Sequence, residues 1–136
     1  EQQQIATQFK EDLRIQTPTI SQKVRLLSGG NQQKCVLARW LHLNPKLLMV
    51  DEPTHGVDVG AKFEIYELLK KMALTSTGIL LISSELPEVL ALADRILVVY
   101  HGKIVGELSR SEATEERILA LASGEENDEL RITSDE

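Results

Sequence analysis

The chain has 136 residues, 42% hydrophobic and 26% charged, and carries a net charge of −6. That length allows one domain with a real core, burying roughly 68% of the unfolded surface, and the acidic balance argues against a nucleic-acid partner, because neutralising phosphates needs a basic surface. No apolar run approaches the ~20 residues of a membrane-spanning helix, and Cys35 is the single cysteine, so no intrachain disulfide can form.

Ile5, Phe9 and Leu13 recur every fourth residue, which predicts an amphipathic helix over Glu1 to Leu13. The opening Glu1-Gln2-Gln3-Gln4 reads as the middle of a helix, so the chain is expected to be a piece of a longer protein. Pro18 ends this segment, since the residue before a proline avoids the helical region. Ile20 to Leu26 is a connector with room for one helical turn. A helix follows from Gly30 to Leu43, with Val36, Leu37, Trp40 and Leu41 expected as its buried stripe. Cys35, among apolar helical neighbours, is expected to be a buried, inert thiol. Asn44-Pro45 stops the helix.

Leu47 to Val50 is a continuous apolar run, the pattern of a strand covered on both faces in a parallel sheet. Ala61 to Leu74 is helical again, and Gly78 to Ile82 is a second buried strand. Leu86 to Ala93 is a short helix that tolerates Pro87 in its first turn. Arg95 to Tyr100 and Lys103 to Leu108 flank His101-Gly102 as a hairpin, and Glu112 to Ala122 is a last helix capped by Ser111 or Thr114. From Glu125 to Glu136 the acids outnumber the lone Arg131, the composition of a solvated, frayed tail. Strand–helix–strand–helix–strand alternation predicts an α/β fold with a parallel sheet.

Two motifs carry chemistry. Ser28-Gly29-Gly30 opens a helix, where unpaired backbone N–H groups and a partial positive charge point outward. Two glycines let a phosphate approach that backbone, and Ser28 can either cap the helix or donate its hydroxyl to a phosphate oxygen. Asn31-Gln32-Gln33-Lys34 follows with no evident packing purpose. The second motif is Leu47-Leu48-Met49-Val50-Asp51-Glu52: apolar residues running into adjacent carboxylates at a strand's C-terminal end, where α/β sheets bind ligands. Asp51 is placed to hold a magnesium ion and Glu52 to polarise an attacking water. Asp58, after Gly56-Val57, can reach a neighbouring subunit or cap the next helix. A Gly-x-x-x-x-Gly-Lys-Ser/Thr phosphate loop is absent from the chain.

Leu27-Ser28-Gly29-Gly30, Asp51-Glu52, Gly56-Val57-Asp58 and Ala93-Asp94-Arg95-Ile96 resemble, in order and spacing, the signature motif, Walker B and later loops of ATP-binding cassette (ABC) transporter ATPases. The resemblance spans about Gln22 to Gly124. It implies a partial RecA-like P-loop NTPase core, a parallel sheet lacking the Walker A strand, joined at its N-terminus to part of the helical subdomain. The implied organisation is residues 1–28 as the end of that subdomain, 29–124 as the C-terminal half of the ATPase core, and 125–136 as an acidic tail.

Asn31 after the double glycine, Gly56-Val57-Asp58-Val59-Gly60-Ala61-Lys62 and Ser83-Ser84-Glu85-Leu86-Pro87-Glu88 look like the second ATPase module of ribose, xylose and galactose importers. The resemblance implies ATP and Mg2+ as cofactors and a seat on the cytoplasmic face of the membrane. It implies as partners a second ABC ATPase module, transmembrane permease subunits and, indirectly, a periplasmic or extracellular sugar-binding protein. Ser28, Gly29 and Gly30 would complete the ATP site of the partner module, Gln32 and Asp58 are further cofactor-binding candidates, and Asp51, Glu52 and Ser84 would belong to the chain's own site. Ser84 stands where most ABC modules carry a switch histidine, ten residues before the Asp of Ala-Asp-Arg, which implies a weak own site. His42, His55 and His101 read as helix-end, loop and hairpin-turn residues and do not replace it. Without a phosphate loop the chain alone is expected to be inactive. The alternatives are a nucleoside or autoinducer importer, or a regulatory ABC protein outside transport.

Overall fold

In a computed structural model, residues 1–124 are described; the acidic tail expected over 125–136 lies outside them. The described residues fold as two compact units, the first ending at Ile82 and the second beginning at Ser83.

The first unit begins with α1 (Gln2–Asp12) and a 3₁₀ turn at Val24–Leu26, followed by α2 (Gly29–His42), β1 (Leu47–Asp51), α3 (Val59–Leu74) and β2 (Gly78–Ile82). β1 and β2 pair in parallel, Leu47 opposite Gly78 through Asp51 opposite Ile82. Bonds just outside the ladder fix this register: the Gly78 N–H donates to the Lys46 carbonyl at 2.8 Å and the Thr77 hydroxyl to the Pro45 carbonyl at 3.1 Å. The expected burial of β1 on both faces is not found. Leu48 and Val50 are buried, whereas Leu47 and Met49 are 60% and 68% exposed. β1 therefore alternates, as a strand does when only one face of its sheet is covered.

The stripe of α2 also differs from expectation. Its buried residues are Gly30, Lys34, Leu37 and Ala38, while Val36 and Trp40 are 48% and 46% exposed. A glycine and a lysine hide this face from a hydropathy reading, although the spacing of four and three is regular. On α3, Ile65, Tyr66, Leu69 and Met72 are buried, and Phe63 is 62% exposed.

The second unit comprises α4 (Leu86–Leu92), β3 (Arg95–Tyr100), β4 (Lys103–Ser109) and α5 (Glu115–Ser123). β3 and β4 form an antiparallel hairpin, with a register shift between Val98 and Val99. Its two-residue turn needs left-handed backbone at both positions, supplied by His101 at φ 46° and Gly102 at φ 75°. α5 packs on the hairpin, and Ile96, Val98, Leu108, Ile118 and Leu121 form the core. Thr114, of the two expected caps, accepts from the Arg117 N–H, and Ser111 does not cap. The expected α/β fold with a parallel sheet and a hairpin is found: among the described residues β1 and β2 form a parallel pair, and β3 and β4 an antiparallel one.

Candidate functional site

α2 starts at Gly29 because Ser28, in extended backbone at φ −61° and ψ 157°, caps it. The Ser28 hydroxyl oxygen accepts from the Asn31 side-chain amide at 2.8 Å and, at 3.5 Å, from the Asn31 N–H. A serine hydroxyl has two acceptor positions and one proton to give. Asn31 occupies the acceptor positions, so the hydroxyl keeps its proton available to donate. Asn31 is itself fixed, since its side-chain oxygen accepts from the Gln16 N–H at 2.8 Å. Gln32 folds back to donate to the Leu27 carbonyl at 2.8 Å. Lys34 donates to the Glu64 carboxylate and to the Arg14 carbonyl. Asn31, Gln32 and Lys34 therefore do have packing purposes, contrary to the reading of their run as free of them. Each locks the turn or the helix behind it.

Ser28 and Gly29 are exposed and Gly30 is buried. Gly30 is buried for a steric reason. A methyl group there would lie 2.5 Å from the Ala61 Cβ of α3 and 3.5 Å from a Val57 methyl. The start of α2 rests directly on the start of α3. The N–H groups of Gly29 and Gly30, in the first turn, have no partners inside the helix.

Asp58 caps α3: its carboxylate accepts from the Ala61 N–H at 3.0 Å. Of its two sequence readings, capping is thus the one realised within the chain. Ser28, Gly30, Asn31, Lys34, Asp58 and Glu64 are among the residues lining one cavity of about 320 Å³. The two helix starts so bring Ser28, Gly30 and Asp58 together.

Asp51 and Glu52 lie at the end of β1, outside that lining. Asp51 is exposed and Glu52 half-buried. Glu52 takes left-handed backbone at φ 46°, and its N–H donates to the Ile82 carbonyl at 2.8 Å. Among the described residues no cluster of three His, Cys, Asp or Glu side chains could hold a metal. One exposed carboxylate still suits Mg2+, which usually takes one or two protein carboxylates and completes its octahedron with water and substrate phosphates. Ser84 is exposed and belongs to the second unit, before α4. His42 ends α2 with its ring 6.0 Å edge-on from Phe9; His55 lies in a loop and His101 in the hairpin turn. Cys35 is half-buried, and burial pushes its thiol above the ordinary value, which fits the expected inertness.

The sequence reading missed Lys34 and Glu64. Lys34 carried a signal: it falls on the helical face shared by Gly30, Leu37 and Ala38.

The sequence model of the family described as ABC transporter matches residues 1–55. The chain is 53% identical over 118 residues to a ribose import ATP-binding protein of Rubrobacter xylanophilus, covering 87% of the chain and 24% of that protein. It is 54% identical over 119 residues to a xylose import ATP-binding protein of Thermoanaerobacter pseudethanolicus, covering 88% of the chain and 24% of that protein. The chain thus spans about a quarter of the length of these relatives. A solved ATP-binding cassette of an ABC transporter, in its ADP conformation, superposes with a TM-score of 0.71 at 28% identity, covering 97% of the chain and 50% of the cassette. On these sequence and structural likenesses, the chain belongs to the ATP-binding proteins of the ABC transporter family.

Proposed function

We propose that the chain works as part of the ATP-binding subunit of a sugar importer, presenting Ser28, Gly29 and Gly30 to ATP held by a second ATPase module. The observation that carries this is the state of the Ser28 hydroxyl. Its acceptor positions are filled by Asn31, so it meets a ligand as a donor, beside two glycine N–H groups at the positive end of a 14-residue helix. Donors converging at a helix start suit phosphate oxygens. Gln32 supports the turn through its bond to Leu27. Asp58 is acidic and would repel phosphate, so it faces a hydrogen-bond donor of the second module.

Asp51 holds Mg2+ and Glu52 orients the attacking water at the chain's own nucleotide site. Bound Mg-ATP supplies the phosphoryl group whose transfer the site serves. With Ser84 in place of an imidazole, that site turns over slowly, and the second module carries most of the hydrolysis. Transmembrane permease subunits take up the resulting motion at the cytoplasmic face of the membrane, and a periplasmic or extracellular sugar-binding protein delivers the sugar. A sugar of the ribose, xylose or galactose type is the favoured cargo, since import proteins for these sugars are among the relatives.

The test is uptake of labelled ribose and xylose by a transport-null host supplied with the full-length subunit and its permease. The unaltered protein is expected to restore uptake of one of them. Ser28→Arg should abolish it while ATP binding to the second module survives. Undiminished uptake with Ser28→Arg would refute the donor role.

A further inference from the structure

Two charged side chains lie one turn behind the Ser28 turn. Lys34 is four residues along α2 from Gly30, and Glu64 is three along α3 from Ala61, the residue on which Gly30 rests. Lys34 is only 4% exposed. It is nevertheless paired, donating to the Glu64 carboxylate and, at 3.3 Å, to the Arg14 carbonyl. Burying an ammonium is costly unless partners replace its water, and an apolar residue of similar volume often packs as well or better. Glu64, its partner, is 46% exposed, so solvent screens their attraction, and the pair is poorly explained by stability alone. It offers what an apolar contact does not, a direction.

The Gly30–Ala61 contact limits how closely α2 and α3 approach, but a methyl against a bare Cα does little to stop sliding along the helix axis. The Lys34–Glu64 pair does stop it, and the bond to Arg14 ties in the segment after α1. We propose that Lys34 and Glu64 are positioning residues. They fix the axial register of α2 against α3, and so the placement of the Ser28 hydroxyl relative to Asp58 across their shared cavity. This rests on the reading of Ser28 as a phosphate donor. Misplacing a transition-state donor by 1 Å can cost on the order of 100-fold in rate, so a small slip of α2 is enough to matter.

The experiment uses the full-length subunit with its second module and permease, measuring kcat and KM for ATP alongside thermal unfolding. Lys34→Met removes the charge and keeps the stem. It should lower kcat roughly tenfold and leave KM within about twofold, since the second module's phosphate loop holds the nucleotide. Lys34→Arg retains donors for both partners and should keep at least about half of the kcat. Wild-type kcat for Lys34→Met beside an inactive Ser28→Arg overturns the positioning role and leaves the donor reading standing. Wild-type kcat for both removes the donor reading and this inference with it. Equal loss in Lys34→Met and Lys34→Arg, tracking a lowered melting temperature, assigns the pair to stability and also overturns the proposal. If Lys34→Met does not fold, Glu64→Gln carries the same test: reduced kcat at unchanged KM supports positioning, and wild-type kcat refutes it.

Discussion

Gly30→Ala tests the meeting of the two helix starts directly. The new methyl would sit 2.5 Å from the Ala61 Cβ, far inside van der Waals contact, and 3.5 Å from a Val57 methyl. The clash is with the Ala61 Cβ, which is fixed to the backbone of α3, so no rotamer change relieves it and α2 or α3 must shift; the approach to Val57 is ordinary contact. Overpacking of this kind costs about 1–3 kcal/mol. Alanine's advantage over glycine inside a helix returns at most about 1 kcal/mol, and less here because Gly30 lies in the first turn. A net loss of about 1–2 kcal/mol is expected, lowering the urea midpoint by about 1 M for a typical small-protein slope. The decisive assay is a double-mutant cycle with Ala61→Gly, which removes the opposing methyl. Gly30→Ala should then cost less, with a coupling energy of about 1 kcal/mol or more. No coupling, or a Gly30→Ala chain as stable as the unaltered one, would show that the helix starts do not touch as described.

Two further outcomes follow from single hydrogen-bonded groups. Asp58→Ala removes the α3 cap and should cost about 1 kcal/mol in urea unfolding, whereas Asp58→Asn keeps an acceptor and most of the stability; equal losses would assign the effect to charge and not to capping. The Glu112 carboxyl is held below the ordinary glutamate range, first by the Ser109 hydroxyl, then by the Ser109 N–H, with Arg117 adding. A value depressed in the folded state means that its contribution is complete above the ordinary glutamate pKa and is lost as pH falls through the lowered one. Ser109→Ala should move the NMR titration midpoint of Glu112 back toward the ordinary range, and an unmoved midpoint would exclude the hydroxyl as its main cause.

Most elements were legible because hydrophobic period and punctuation agreed. His101-Gly102 between two apolar runs set the hairpin, and Asn44-Pro45 marked the end of α2. What escaped were properties that depend on tertiary neighbours. Leu47 and Met49 read as core because their hydropathy matches that of Leu48 and Val50, and only the three-dimensional structure shows that one face of the β1–β2 pair is uncovered. Lys34 read as surface because lysine usually is, and its burial depends on Glu64, thirty residues away in sequence. In the candidate site, Ser28 and the glycines were legible from local chemistry. The engagement of Asn31 and Gln32 was not, because their partners Gln16 and Leu27 lie outside the helix they sit on.

The composition of the Ser28 turn bears on when it can act. It offers one hydroxyl and two N–H groups, all neutral, while the lysine that lines the same cavity is already paired with Glu64. Hydrogen bonds to a charged acceptor such as phosphate contribute about 1.5–3 kcal/mol each, and a helix start adds about 0.3–1 kcal/mol for an anion. Their sum is about 5–10 kcal/mol, within the range of roughly 4–15 kcal/mol that association costs in lost translation and rotation. On the proposed reading the turn alone therefore yields little net affinity for ATP in solution. It gains only from a phosphate that another module already holds and orients, since the cost of immobilisation then falls elsewhere. Weak neutral donors on a rigid corner would thus report the nucleotide state of the second module. A lysine free in the same cavity would blur that discrimination by attracting phosphate whether or not it was held. The Lys34–Glu64 pair then serves the site twice: it fixes the register of the turn and keeps a positive charge from being offered to the ligand.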